Sequence, residues 1–473
     1  MIRACLHSVA EVLQELQVRG FYPDCSALVT DHRLLAGPQD VFIAIAGEKF
    51  DPRNLADELL LEQRCGLVLV EYDEQRTYHS ADVVPVLHLK SLIAELAAGY
   101  YKTGSNPIKV LAVTGTNGKT TVTRWLAQAL CMLGNKAAVI GTLGYGPPDE
   151  LKPHTGLTTP GVVAIHQLLH ELHRQGFHTV CMEASSIGLD QRRLEHVKID
   201  TAVFTNLSQD HLDYHGDMES YGQAKLLLAS WPALRCAVAN LDDPFGARFL
   251  QHAREQAASC TSVGHSPGRD FRILEVIHTE HGQRVRIDAS GQMVNIDTAV
   301  VGEFNADNLA LALATLVQQG FPAAQIAQTL GSVTPPLGRM QQVGGQPAVV
   351  VDYAHTPDAL QKTLDALRPY AEKRGGRLAV VFGCGGDRDR TKRPLMGQVA
   401  AEKADRVWIT SDNPRSEDPA MILQDISAGV DAPMAHKVSM EIDRVSAIEQ
   451  AIQAADPRDV ILLAGKGHET TQT

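Results

Sequence analysis

The stretch "VLAVTGTNGKTT", Val110 to Thr121, runs from an apolar segment through a tight glycine turn into Lys-Thr-Thr. A strand, a turn of backbone N–H groups and a helix start together hold an anion, because the amides point at it and the helix dipole favours negative charge. Gly115, Thr116, Asn117, Gly118, Lys119, Thr120 and Thr121 therefore read as a phosphate-binding loop. In such a loop the lysine neutralises the β- and γ-phosphates and the following threonine offers its hydroxyl to Mg²⁺. Val113 stands where the usual pattern opens with glycine, so the geometry is kept although the letter is not. The plainer reading, a glycine turn ahead of an amphipathic helix, has no need of Gly-Lys-Thr at the helix start.

Other reactive types follow downstream. "CMEASSIG" puts Glu183 just past one strand and "FTNLSQDHLDYHG" puts His211 past the next. Mg²⁺ prefers oxygen, so Glu183 is an expected ligand, whereas His211 taken alone reads as a structural histidine. Lys225 in "YGQAKLLLASW" reads by itself as a solvated lysine on an amphipathic helix. In "TSDNPR" the pair Asn413-Pro414 makes a turn after the strand "RVWIT". That turn does not by itself require Asp412 and Arg415 on its flanks.

The elements that must hold these groups form an alternating pattern. Short apolar runs ("DVFIAIAG", "CGLVLVEYD", "VVPVLHL") mix with the helical "LKSLIAELAAGYYKT" up to about residue 105. The opening "MIRACLHSVAEVLQELQVRGF" reads as an amphipathic helix rather than a signal peptide. A second unit opens with "IKVLAVTG" and includes the helices "KTTVTRWLAQALCMLG" and "EFNADNLALALATLVQQG". The Pro-rich "GSVTPPLGRM" marks a boundary near residue 335, beyond which "AVVVDYAHT", "RLAVVFGCGG", "DRVWITSD" and "DVILLAGKGHE" repeat a strand–helix rhythm. Strands of this kind, separated by helices, predict parallel sheets covered on both faces, with ligands at their carboxyl ends.

Composition narrows the class. The chain has 473 residues, 44% of them hydrophobic and 21% charged, which suits a soluble α/β protein of about three domains. A net charge of -12 argues against a general nucleic-acid binder. The cysteines 5, 25, 65, 131, 181, 236, 260 and 384 are scattered without a Cys-x-x-Cys pair, as in reduced cytoplasmic proteins. No apolar run reaches the ~18 residues of a membrane span. The chain stops soon after "GKGHE", just beyond a buried-type strand, so a truncated end is expected.

"TGTNGKTT", "MEASS", "TNLSQDHLDYHGDMESYGQAK", "GEFNADN", "LGRMQ", "DYAHTPD", "GCGGDRDRTKRP", "TSDNPR" and "AGKGHE" occur in the order seen in Mur ligases. From about residue 25 to the end the chain resembles that family, which builds the peptide stem of bacterial cell-wall precursors. The resemblance implies three domains. They are a small N-terminal α/β domain (1–105) for the uridine side of the substrate, a central P-loop ATPase-type domain (106–335) and a C-terminal Rossmann-like domain (336–473) for the amino acid. It implies phosphoryl transfer from ATP to a substrate carboxylate, then attack of an amine on the acyl phosphate. Such chemistry needs mainly positioning and charge stabilisation. Within the family the chain is most similar to members that add meso-2,6-diaminopimelate to UDP-N-acetylmuramoyl-L-alanyl-D-glutamate. Addition of L-lysine and folate-polyglutamate synthesis are the alternatives inside the superfamily, and a non-catalytic nucleotide binder is the alternative outside it.

Residue by residue, the resemblance gives the loop 115–121 to ATP and places Thr120, Glu183, His211 and Lys225 around Mg²⁺, with Lys225 carbamylated by CO₂. Lys119, Glu183, His211 and Lys225 are then the catalytic set. Asn305, Asn308, Arg339 and Asp352 join the nucleotide site, and an Asn-capped helix start is the plainer reading of "GEFNADN". Thr30, His32, Glu48, Lys49, Phe50, Leu157, Thr158, Thr159, Ser185, Gln191 and Arg193 are expected to contact the nucleotide–peptide. His32, Leu157 and Gln209 depart from the family's usual serine, asparagine and arginine. Arg388, Asp412, Asn413, Pro414, Arg415, Gly465 and Glu469 are expected to seat diaminopimelate. Lysine would leave Arg415 facing an empty place, at a cost on the order of 2–4 kcal/mol. The expected partners are small molecules only, the expected state a cytoplasmic monomer.

Overall fold

The computed structural model describes residues 5–47, 50–105, 108–153, 156–279, 282–469 and 471–472. Packing divides the chain into two compact units that do not follow chain order. One comprises 1–117, 134–237 and 248–260, the other 118–133, 238–247 and 261–473.

In the first unit, strands Leu28–Val29, Val41–Ala44, Leu67–Glu71 and Val83–Val86 form a parallel sheet in that order. Its strands are apolar on both faces, as full burial demands. One face packs Val12, Leu16, Leu96 and Tyr100, the other Ala56 and Leu59. The opening helix is shorter than the sequence pattern predicted, Val9–Val18, because the Ser8 side chain caps it and Leu6 instead bridges to Val86. A second group of strands runs in the order Ile199–Phe204, Lys109–Thr114, Thr179–Glu183 and Ala137–Gly141, all parallel, with Gly144–Gly146 antiparallel at the edge. Helix Leu89–Tyr100 packs on helix Val162–Arg174. There the buried His166 donates its Nε2 to Glu195 O (3.0 Å), and its Nδ1 accepts from Thr103 Oγ1 (2.7 Å).

In the second unit, helix Lys119–Met132 packs against Glu303–Gln318 and Ala323–Leu330. Trp125 is wholly buried and its Nε1 donates to Thr334 O at 3.0 Å, while Gln128 Nε2 donates to Thr334 Oγ1. The helix after the phosphate loop is thus tied to the Pro-rich segment. Strands Phe271–Thr279, Gly282–Ala289 and Gln292–Thr298 are antiparallel, a departure from the all-parallel expectation. Alternating burial in the last two shows why: one face is solvated, which antiparallel pairing permits. The six-stranded sheet runs Gln341–Val343, Ala348–Asp352, Val460–Ala464, Leu378–Phe382, Arg406–Ile409, Val438–Met440, with only the first pairing antiparallel. Among the described residues no helix is long and apolar enough to cross a membrane.

His166 generates a pH prediction. Burial holds its pKa down at about 4, against 6.5 when exposed. The imidazole is therefore neutral in the fold, and the unfolded chain binds an extra proton between those values. Stability should fall as pH drops from about 6.5 toward 4, by on the order of 2–3 kcal/mol. His166→Gln should flatten this part of the melting-temperature profile by about one proton's worth. An unchanged slope would assign the acid sensitivity to other groups.

Candidate active site

Strand Lys109–Thr114 lies between two parallel neighbours, so its carboxyl end delivers the phosphate loop to the sheet's edge. Gly115 has φ +145°, and a Cβ there would collide with Thr205 Oγ1. The loop is fixed by the segment after Ile199–Phe204. Thr116 N donates to Asn206 O (2.8 Å), Asn117 N to Asn206 Oδ1 (3.0 Å) and Thr205 Oγ1 to Asn117 O (2.5 Å). Gly118, with φ +85°, is the N-cap of helix Lys119–Met132 and no side chain caps that end. This is the arrangement that binds phosphate at a helix start. Thr121 is buried as the first turn closes.

Lys225 overturns its plain reading. It is 1% exposed, and its Nζ donates to Gly115 O at 2.9 Å and lies 4.2 Å from the Tyr221 ring centroid. Tyr221, which the sequence did not flag, gathers this half of the site. Its OH bonds Thr116 Oγ1 (3.1 Å), and its ring neighbours His211 and His215. The available signal was its place one helical turn before Lys225. His211 itself is half-exposed, with Nε2 3.5 Å from Asp210 Oδ2. Burial lowers the His215 pKa; Asp190 opposes this, and His211 and Lys225 add to it.

Glu183 ends strand Thr179–Glu183 and is 1% exposed. Thr142 holds it, donating its N to Oε1 (2.8 Å) and its Oγ1 to Oε2 (3.2 Å). Thr142 was also missed, although it follows the next strand's carboxyl end. Around this carboxylate the predicted peptide-side residues converge. Thr142 Oγ1 bonds Thr158 Oγ1, Thr159 Oγ1 donates to Glu183 O, and Ser185 N and Oγ bond Thr159 Oγ1. Arg193 Nη1 donates to Thr159 O and its Nη2 to Gln191 Oε1. Leu157 stands exposed beside them. Farther along this unit, exposed Thr30 follows strand Leu28–Val29, and the His32 and Phe50 rings lie 5.7 Å apart at 36°. Glu48 and Lys49 lie outside the described residues.

In the second unit, Gly302 and not an asparagine caps helix Glu303–Gln318, which corrects the capping reading. Asn305 and Asn308 are turned inward instead: Asn305 Nδ2 donates to Val301 O and Asn308 Nδ2 to Asn305 Oδ1. Met340, close to Gly302, donates its backbone N to Asp352 Oδ2 (2.8 Å). Burial raises the Asp352 pKa, and Arg339 opposes that rise. The Arg339 guanidinium lies 4.6 Å over the Tyr353 ring.

The amino-acid residues meet at the carboxyl ends of three strands. A Cβ on Gly465 would stand 2.6 Å from Asp412 Oδ2, so only glycine leaves that carboxylate its place. Asn413 Nδ2 donates to Glu469 Oε2 (2.8 Å), and Lys466 Nζ bonds Asn413 Oδ1 and Glu469 Oε2. Lys466 is a cation of this pocket that the sequence reading passed over inside "AGKGHE". Pro414 shapes the turn. Arg388 and Arg415 flank Gly385, and Arg415 Nη1 donates to Gly386 O at 2.7 Å. Arg415 is exposed and already satisfied by a carbonyl, which corrects the expectation of a buried guanidinium stranded by lysine. Beneath the loop, the fully buried Arg393 is bidentate to Glu417, holding that carboxyl down at about 2.

Comparison with known proteins agrees with this layout. Residues 113–316 match the Mur ligase middle domain and residues 338–467 the Mur ligase glutamate ligase domain. The UDP-N-acetylmuramoyl-L-alanyl-D-glutamate--2,6-diaminopimelate ligase of Chromobacterium violaceum is 45% identical over 92% of this chain and 88% of its own. The enzyme of the same name from Ectopseudomonas mendocina is 44% identical over the same shares. A solved structure bearing that enzyme name aligns with a TM-score of 0.70 at 33% identity, covering 94% of this chain and 90% of that one. Matched in both large domains and along nearly its whole length, the chain belongs to the Mur ligase family.

Proposed function

We infer that this protein is an ATP-dependent ligase joining meso-2,6-diaminopimelate to the D-glutamate of UDP-N-acetylmuramoyl-L-alanyl-D-glutamate, a step of peptidoglycan precursor synthesis. Domains 1–105, 106–335 and 336–473 would take the uridine side, ATP and the amino acid, in a cytoplasmic monomer. The observation that carries the reading is the pocket in which Asp412 lies against Gly465, Asn413 and Lys466 meet Glu469, and two arginines flank Gly385. It offers both signs of charge to an amino acid whose distal end carries an ammonium and a carboxylate. Relatives bearing the diaminopimelate ligase name support it.

In the first half-reaction the γ-phosphoryl group passes from ATP to the D-glutamate carboxylate, giving an acyl phosphate and ADP. Lys119 and the amides of the loop stabilise charge on the phosphates, and Asn305, Asn308, Arg339 and Asp352 hold the nucleoside. In the second, the amine of the amino acid attacks the acyl carbon, loses a proton, and inorganic phosphate leaves. Thr158, Thr159, Ser185, Gln191 and Arg193 hold the peptide end, and Thr30, His32 and Phe50 the uridine end. Mg²⁺, when bound, neutralises charge on the transferring phosphates. Thr120, Glu183 and His211 would hold it together with Lys225. The fit is conditional: as an ammonium Lys225 donates to Gly115 O and cannot ligate a cation. Carbamylated by CO₂, it would present oxygens, which suit a hard ion, and its nitrogen would keep one hydrogen for that carbonyl.

The decisive assay is phosphate release with ATP, the nucleotide dipeptide and a panel of amino acids. Release should require all three substrates, and failure with every amino acid would end this reading. Lys225→Ala should lower kcat by about a hundredfold or more, with partial recovery when a short carboxylate fills the vacated space. A bare ammonium at Lys225 in a high-resolution electron-density map of fully active enzyme would exclude the carbamate.

Diaminopimelate should be preferred to L-lysine through Arg415. A distal carboxylate would replace Gly386 O as acceptor, adding a full opposite charge and a bidentate fork to a bond whose donor is already ionised. Lysine simply leaves Arg415 on its carbonyl, so the preference is a missing gain rather than a penalty. We expect the kcat/KM ratio to favour diaminopimelate by roughly 10- to 100-fold and to shrink in Arg415→Ala. Arg388 can share the carboxylate, so some preference should survive. Equal use of both amino acids by the parent would refute the assignment.

A further inference from the structure

Arg444 begins helix Arg444–Gln453 and belongs to none of the motifs above. Its Nη1 donates to Ser411 O (3.3 Å) and its Nη2 to Ala464 O (2.9 Å). Those carbonyls immediately precede Asp412 and Gly465. Ser411 follows strand Arg406–Ile409 and Ala464 ends strand Val460–Ala464, and these strands are not neighbours, since Leu378–Phe382 lies between them. One planar guanidinium therefore clips together two strand ends across a third. The third end leaves room: Gly383 lies so close to Thr410 O that a Cβ there would collide with it. The clip is anchored from its own side as well, because Ser411 N donates to Ile442 O at 3.3 Å. Burial lowers the Arg444 pKa, and the negative charges of Asp412 and Glu469 oppose that change.

The geometry points to Arg444 as a positioning residue for the amino-acid substrate, setting the spacing between Asp412 and the Gly465–Glu469 segment and balancing their two charges. This rests on the reading of that pocket as the amino-acid seat. A planar fork with two donors in fixed directions suits the task, whereas a lysine could hold one carbonyl at a time. Without the fork, Asp412 and Glu469 would keep their identities and lose their separation. The effect should fall on binding of the amino acid and not on the phosphate loop, whose residues Arg444 does not touch.

The test uses the full chain and phosphate release, titrating each substrate in turn for the parent, Arg444→Met and Arg444→Lys. In Arg444→Met the KM for diaminopimelate should rise about tenfold or more, while the KM for ATP and for the nucleotide dipeptide stays within about twofold. Arg444→Lys should recover part of that loss. An unchanged diaminopimelate KM, or three KM values rising together, would overturn the proposal. If Arg444→Met proves insoluble, Arg444→Lys alone decides by the same comparison. A parent that releases no phosphate with diaminopimelate overturns the functional reading and this proposal with it. A parent that turns over while both variants keep its KM overturns only the role of Arg444.

Discussion

A buried ammonium must be paired, and in the first unit that rule fixes the site. Lys225, 1% exposed, is held by the Gly115 carbonyl and the face of Tyr221. The carbonyl can point there only because Gly115 adopts φ +145° and has no Cβ to strike Thr205. Thr116 then reaches Tyr221, and Asn117 is seized by Thr205 and Asn206. The shape of the phosphate loop therefore depends on a side chain more than a hundred residues later. Moving the lysine away would leave the carbonyl of the loop's first glycine without this donor.

The second unit solves a related problem differently. Parallel strands bring their carboxyl ends close, and polar side chains crowd there. Glycine at 383 and 465 makes the crowding tolerable, since any Cβ would meet Thr410 O or the Asp412 carboxylate. Charge is then distributed rather than buried in isolation. The charges of Asp412 and Glu469 help keep Arg444 a cation, Glu469 also takes Lys466, and Glu417 beneath the loop takes Arg393. Each acid has a cation within its own pocket, which keeps a cluster of like charges compatible with folding.

Much of this was legible in the sequence. The phosphate loop could be read from Gly118-Lys119-Thr120 after an apolar strand, even with Val113 in place of glycine, because the motif encodes a local geometry. The strand–helix alternation gave the α/β class and put the polar groups at strand ends. The hairpin strands Gly282–Ala289 and Gln292–Thr298 were overlooked, although their alternation and the Ser290-Gly291 turn were present in the letters. Lys225 was misjudged on local grounds, since helix Met218–Ala229 has little amphipathic contrast and burial of its lysine depends on Tyr221 and the distant Gly115. Tyr221 and Thr142 offered only their positions, one turn before Lys225 and just past a strand end, and Arg444 carries no local signature, as it acts through carbonyls brought near by the fold.

Arg415 illustrates the limit of reasoning from residue type. An arginine beside Asp-Asn-Pro suggests a carboxylate partner, and the natural inference is that its absence strands a charge. In the fold Arg415 is exposed, with φ +53°, and its Nη1 rests on Gly386 O. A resting partner changes the energetics: binding trades a neutral acceptor for a charged one, and the wrong substrate costs nothing beyond the missed trade. Discrimination built this way is smaller than rejection by an unpaired buried charge. It also leaves the loop's Gly386 carbonyl and Arg415 paired with each other when no amino acid is bound. The buried groups that hold the strand ends and the exposed Arg415 thus obey different rules, and only the former are forced by the fold.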